Sequence, residues 1–157
     1  MFIMSKFTVK AANADAEAVI GEFLDALETM SIERFMNVWH DNGIQVMPLS
    51  PDGFPARIEG KETIRLQYDR LPTYYKLIRF SDRVFHFTND PKRVWVEFRG
   101  EIQIKATGKS YNPIFVCLFT LRGGRIIEYK EYSSPFTLLT PFFSSEALRK
   151  NFGKSPG

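Results

Sequence analysis

Cysteine and histidine are nearly missing from this chain: one Cys, Cys117, and two His in 157 residues. A single thiol excludes an internal disulfide, and no Cys/His cluster has metal-ligand spacing, so no metal is expected. Cys117 lies in an apolar run and reads as a small buried hydrophobe. No stretch approaches the ~18 apolar residues of a membrane span, so no membrane partner is expected. The opening residues, MFIMSKFTVKAA, lack the sustained apolar core of a secretory signal, and a cytoplasmic setting is the expectation. Charge of one sign is scarce too. The net charge is +3, and bases sit beside acids, as in Asp82–Arg83 and Glu97–Arg99. Without a basic stripe, nucleic acid is not an expected partner.

Aromatic residues are abundant, at 15% of the chain with fifteen Phe. They suit a core, and they suit the wall of a pocket for a flat organic molecule. The length fits one domain over 1–157, with 1–12 and 151–157 as loose ends. Such a chain buries roughly two-thirds of its unfolded surface and needs no staple.

Helical signals come first. Asn13 is placed to cap a helix whose apolar positions are Ala16, Ile20, Phe23, Leu24 and Leu27, running to about Met30. Ser31 opens a short second helix carrying Phe35, Met36, Val38 and Trp39, with His40 near its C-terminus and Asp41-Asn42-Gly43 ending it. Ile44 to Leu49 reads as a strand. A third helix follows Gly60, with Ile64, Tyr68 and Leu71 on one face and Pro72 as its stop. Strands then take over: Leu77–Thr88, Arg93–Lys105, Pro113–Leu121 and Arg125–Ser133, the last two joined at Gly123-Gly124. Gly100 interrupts the second of these and marks a bulge or bend. Phe136–Phe143 reads as a short terminal helix. Helices followed by hairpin-linked strands give an α+β class, three helices on an antiparallel sheet.

The last strand has two unequal faces. Ile126, Glu128, Lys130 and Tyr132 form a half-solvated one. Ile127, Tyr129, Glu131 and Ser133 form the other, which sets a carboxylate among aromatic and small polar neighbours. Glu131 is therefore the leading candidate for acid–base chemistry, with Tyr129 as a donor to a developing oxyanion. The competing role for Glu131 is a structural ion pair with Arg34 or another cation. Pro113–Leu121 is apolar on both faces, with Phe115, Cys117 and Phe119 against Ile114, Val116 and Leu118. Helices cover one face, and a homodimer through the sheet is the expected cover for the other.

Three segments resemble the nuclear transport factor 2-like superfamily, and within it the SnoaL-like polyketide cyclases and the phenazine-biosynthesis A/B proteins. They are IEGKE (Ile58–Glu62), DPKRVWVEFRG (Asp90–Gly100) and GRIIEYKEY (Gly124–Tyr132). The resemblance implies a cone-shaped fold, with helices closing one end and a strongly curved sheet lining an apolar pocket. It implies no cofactor and a small apolar or aromatic ligand. The pocket glutamate of the phenazine proteins matches Glu131, their helix-two arginine falls near Arg34, and their third-helix histidine falls near Gln67. The base of ketosteroid isomerase would fall at Met47, its oxyanion-hole tyrosine at Phe23 and its protonated aspartate at Cys117, so that constellation is replaced by apolar groups. The aromatics Phe23, Trp39, Tyr68, Phe98, Phe115 and Phe119 either line the cavity or fill the core. Arg34 either grips a substrate carboxylate or is a solvated helix arginine. The function this reading supports is a small-molecule pocket protein, either a cofactor-free isomerase or cyclase or a non-catalytic binding protein of the same fold.

Overall fold

The first helix runs further than its periodicity suggests. In the structure, a computed structural model that describes residues 2–135, α1 spans Phe2–Glu28. The expected loose arm at 1–12 is helical from residue 2, because no Gly or Pro interrupts the chain before Gly21. Asn13 is consequently inside the helix and not its cap, and its Oδ1 is buried without a partner. The helix stops in a Schellman turn. Met30 takes φ +51°, Ser31 N–H donates to the Ala26 carbonyl at 2.9 Å and Met30 N–H to that of Leu27 at 3.0 Å.

The second helix, α2, is Ile32–Asn37. Trp39 and His40, expected in it, already belong to β1, Trp39–Val46. His40 does not cap a helix end, since its Nδ1 accepts the Asn42 N–H at 3.1 Å. A short β2, Arg57–Glu59, precedes α3, Lys61–Tyr68. Pro72 does not end α3. It sits in the first turn of a further short helix, α4, Leu71–Tyr74, where its missing N–H costs nothing. The long strands are β3 (Tyr75–Phe87), β4 (Arg93–Ile104), β6 (Ile114–Arg122) and β7 (Arg125–Ser133), with a two-residue β5 at Ser110–Tyr111. The terminal helix expected at 136–143 and the loose tail at 151–157 lie outside the described residues.

The sheet order is β2-β1-β7-β6-β4-β3, with β5 on β4. It is mixed rather than wholly antiparallel: β1 lies parallel to β7, pairing Gln45 with Tyr129. Two of its register shifts bear on the site. On β7, Thr120 faces Glu128 while Leu121 faces Ile126, which leaves Ile127 as an extra residue. This bulge puts Ile126, rather than Ile127, on the buried face with Tyr129. On β3 the register shifts between Ser81 and Val84, where Asp82 has φ +52°. Here Arg83 reaches Asp25 at 2.7 Å and Glu28 at 3.3 Å, and Glu28 also accepts the Phe80 N–H. The end of α1 is thereby tied to the bend in β3.

The core lies between α1, α2, α3 and the concave face of the sheet. Ala16, Ile20, Phe23, Leu24 and Leu27 of α1 meet Val94, Val96, Cys117, Phe119 and Ile126. Phe23 stands at the centre, with its ring 5.0 Å from Phe35, 5.2 Å from Phe119, 4.9 Å from Tyr129 and 6.0 Å from Trp39.

Candidate functional site

The sheet extends past the end of α1, and a cavity of about 160 Å³ opens there. Its apolar wall is Leu27, Leu71, Ile78, Phe80, Phe98, Ile102, Pro113 and Phe115. Its polar groups are the phenols of Tyr68, Tyr75, Tyr111 and Tyr129, the hydroxyls of Ser133 and Ser134, and the carboxyl of Glu131. An engineered apolar cavity of about 150 Å³ holds benzene, so a single ring with a substituent or two fits.

Local geometry keeps this end hollow. Gly100 is not at a bulge, since the pairing of β3 with β4 runs through it without a shift. Its role is close approach. A Cβ there would stand 3.0 Å from Phe115 Cε2 and 3.0 Å from Pro113 Cγ. Without one, Phe115 stacks on Phe98 at 4.8 Å and 20° and meets Phe80 edge-on at 6.0 Å. The three rings form the cavity wall instead of filling it.

Glu131 enters from β7, half-buried, with both oxygens held by its own strand. Tyr129 Oη donates to Oε2 at 2.9 Å, and Ser133 Oγ donates to Oε1 at 2.9 Å. These partners sit two residues away on either side, the spacing that places side chains on one face of a strand. Loss of water around the carboxyl pushes its pKa above the usual carboxylate value, and the two hydroxyl donors pull it part of the way back. No ion pair to Glu131 exists among the described residues, and none of the cavity-lining residues is cationic. The pairing with Arg34 does not occur.

The phenols are perturbed in the same sense. Burial and then the nearby Glu131 charge raise Tyr68. Burial raises Tyr75 and Tyr111 as well. Burial raises Tyr129 and Cys117 well above their usual values. Cys117 Sγ lies 3.4 Å from Tyr129 Oη, so a line of contacts runs from the thiol through the phenol to the carboxyl. At neutral pH the thiol stays protonated and is no nucleophile.

Of the residues singled out in the sequence, Tyr68, Phe98, Phe115, Tyr129 and Glu131 meet at the cavity. Phe23, Trp39, Cys117 and Phe119 do not. They are fully buried in the core on the α1 side, because α1 covers that part of the sheet directly. Met47 packs against the core from the edge and receives Gln45 Nε2 at 3.7 Å. Gln67 points outward from α3, and the next residue, Tyr68, turns in. Arg34 is on the surface, where Nε and Nη2 donate to the two carboxylate oxygens of Glu22, both at 2.7 Å. Its fork is occupied by its own chain and does not reach the cavity. Sequence reasoning missed Tyr75 and Tyr111, which flank turns where no periodicity marks an inward side. Ser133 was on the face already identified.

The arrangement has relatives. A SnoaL-like domain model matches residues 20–129. An uncharacterised protein of Bacillus subtilis, YesE, is 28% identical over 149 residues, covering 87% of this chain and 99% of that protein. A PhzA/B-like protein of Pseudomonas aeruginosa is 26% identical over 136 residues, covering 87% and 96%. Among solved structures, a phenazine biosynthesis-related protein of Pseudomonas aeruginosa superposes with a TM-score of 0.71 at 19% identity, covering 85% of this chain and 88% of that one. The architecture is the α+β, NTF2-like one, a curled sheet closed by helices.

Proposed function

This chain belongs to the SnoaL-like domain family, and on that premise we propose that it is a cofactor-free acid–base catalyst, an isomerase or cyclase by reaction type, acting on a small cyclic or polyketide-like molecule. The observation that carries the reading is Glu131: a carboxyl with a raised pKa in an aromatic cavity, held by two hydroxyls and with no cationic partner among the described residues. A raised pKa brings a carboxylate closer to the working range of a general base at neutral pH.

In the proposed step Glu131 takes a proton from the carbon beside a carbonyl or imine. The C–H electron pair moves into the new double bond, and charge develops on the heteroatom. Tyr129 has committed its O–H to Glu131, so it positions the carboxylate, and stabilising the developing charge passes to the other phenols of the wall, Tyr75 and Tyr111. Return of the proton at another atom completes an isomerisation. Solvent deuterium exchange into a panel of small cyclic ketones, followed by NMR, tests this. Glu131→Gln is expected to lower the exchange rate at least ~100-fold while ligand binding survives. Unchanged exchange would remove Glu131 from the chemistry. Binding without exchange by any panel member would favour the alternative, a non-catalytic binding protein.

The reading includes a cytoplasmic homodimer. The convex face of β6 presents a half-buried Val116 and a 55% exposed Ile114 beside the Trp95 and Tyr132 rings, which are 5.9 Å apart, while Leu118 on that face is already buried at 3% exposure. Light scattering on the purified protein is expected to give twice 18.2 kDa; a monomeric mass at tens of micromolar would withdraw the dimer.

A further inference from the structure

The sign of the charge in the cavity narrows the ligand class. We infer that the site takes a small ring bearing a protonated amine and rejects the carboxylate analogue of the same ring, with Glu131 as the partner of the ammonium group. This rests on the reading of the cavity as a ligand site and adds the chemistry of the ligand to it.

Three features of the wall lead there. The first is the unused hydrogen-bonding capacity of Glu131. Each of its oxygens accepts one hydroxyl proton, Oε2 from Tyr129 and Oε1 from Ser133. An ionised carboxylate has about four acceptor sites and no donor, so further acceptor capacity remains on the group, and a donor fills it best. The second is the absence of any cationic side chain among the described cavity-lining residues. An anionic ligand would find no charge partner. It would also place a second carboxylate beside Glu131 in a poorly hydrated space, where two like charges do not both stay ionised. The guanidinium that the sequence suggested for a substrate carboxylate, Arg34, is locked to Glu22 on the surface. The third is the aromatic lining. The Phe80, Phe98 and Phe115 rings present a surface for a planar ring, and the phenol rings beside them carry the negative faces that favour a cation. Phenol oxygens on Tyr68, Tyr75 and Tyr111 supply acceptors for the ammonium protons that Glu131 does not take.

An ammonium group also relieves a cost built into the site. The half-buried carboxyl has only neutral partners among the described residues, and a partly desolvated charge without an opposite charge is costly. A ligand cation supplies the missing half of the pair, so its affinity includes the relief of that strain, which a neutral isostere cannot provide.

The experiment uses three probes of matched size, benzylamine, benzyl alcohol and benzoate, titrated into the full chain at pH 7.5 by calorimetry or NMR shift. Benzylamine is expected to bind at least ten times more tightly than benzyl alcohol, and benzoate not to bind. In Glu131→Gln, benzylamine is expected to fall to the level of benzyl alcohol, whose own affinity should change less than threefold. Circular dichroism checks that the variant is folded, and the order of the three probes on the wild type stands as a test that needs no variant. Equal or tighter binding of benzoate overturns the assignment, as does an amine preference that survives Glu131→Gln. If benzyl alcohol binds and the amine has no advantage, the charge assignment fails while the cavity remains a ligand site. If none of the three binds, the assignment fails together with the reading of the cavity as a ligand site.

Discussion

The two ends of the concave face are built from the same residue types and do different things. At one end Phe23, Phe35, Trp39 and Phe119 are fully buried and interlock. At the other, Phe80, Phe98 and Phe115 stack against one another and leave about 160 Å³ open beside them. Composition does not separate these outcomes. Reach does. The last residue of α1 to enter the cavity wall is Leu27, and the helix ends at Glu28, while β4 continues to Ile104 and β3 begins at Tyr75. Where the helix covers the sheet, side chains meet side chains and close-pack. Where the sheet outruns the helix, only α4 and the end of α3 lean over it among the described residues, and these leave the rings without a full opposite layer. Arg83 fixes the boundary, since it holds Asp25 and Glu28 at the bend in β3.

The comparison breaks most visibly under truncation of equivalent rings. Phe119→Ala removes a ring in contact with Phe23 and Tyr129 at 5.2 Å and 4.9 Å, in a layer with no slack. It is expected to cost about 3–5 kcal/mol in urea denaturation. Phe115→Ala, on the next inward position but one of the same strand, already has open space on one flank. It is expected to cost roughly half as much, and to weaken binding of a ring-shaped ligand more than Phe119→Ala does among molecules that remain folded. Equal costs at the two positions would mean that the hollow end is packed as tightly as the core, and the distinction between them would fall.

Much of this plan was legible in the chain. The pattern Tyr129–Glu131–Ser133 put one acid among hydroxyls on one side of β7. That worked because a strand's period of two leaves little freedom once one residue is known to face inward. The failures have a common physical origin in contacts distant along the sequence. Ile127 was read as inward because the pattern assumed an unbroken strand, and the bulge opposite Thr120 and Leu121 shifted the phase. Gly100 was read as a bend because a glycine in a strand carries no record of the neighbour it makes room for; here that neighbour is Phe115, fifteen residues on. Phe23 and Phe98 were indistinguishable as wall or core, since the point at which α1 stops relative to β4 is a tertiary fact. The resemblance to SnoaL-like proteins supplied the cone and the pocket; the residues alone supplied the polarity of the face.

The smallest effect is also the sharpest probe of the hollow end. Glu131 has its pKa raised above 4.5 in the folded chain by loss of water, while in the unfolded chain it titrates near the ordinary carboxylate value. The native state therefore holds its proton to higher pH than the unfolded state does. Between the two values the native state binds more protons, so stability falls as pH rises through that window. Below 4.5 the penalty is absent, and above the folded value it is complete. Glu131→Gln keeps the shape and removes the titration. At pH 7 the variant is expected to melt above the wild type, by about 2–4 °C for each kcal/mol of penalty removed, and the gap should close as pH is lowered toward 4. No comparable gap is expected from a substitution of an acid with no such burial, such as Glu33→Gln, whose carboxyl is instead held low by the Arg65 hydrogen bond at the surface. A melting difference at Glu131 that is constant from pH 4 to pH 8 would show that the carboxyl is hydrated like any surface acid. The contrast between a filled and a hollow end of the sheet would then have no electrostatic counterpart.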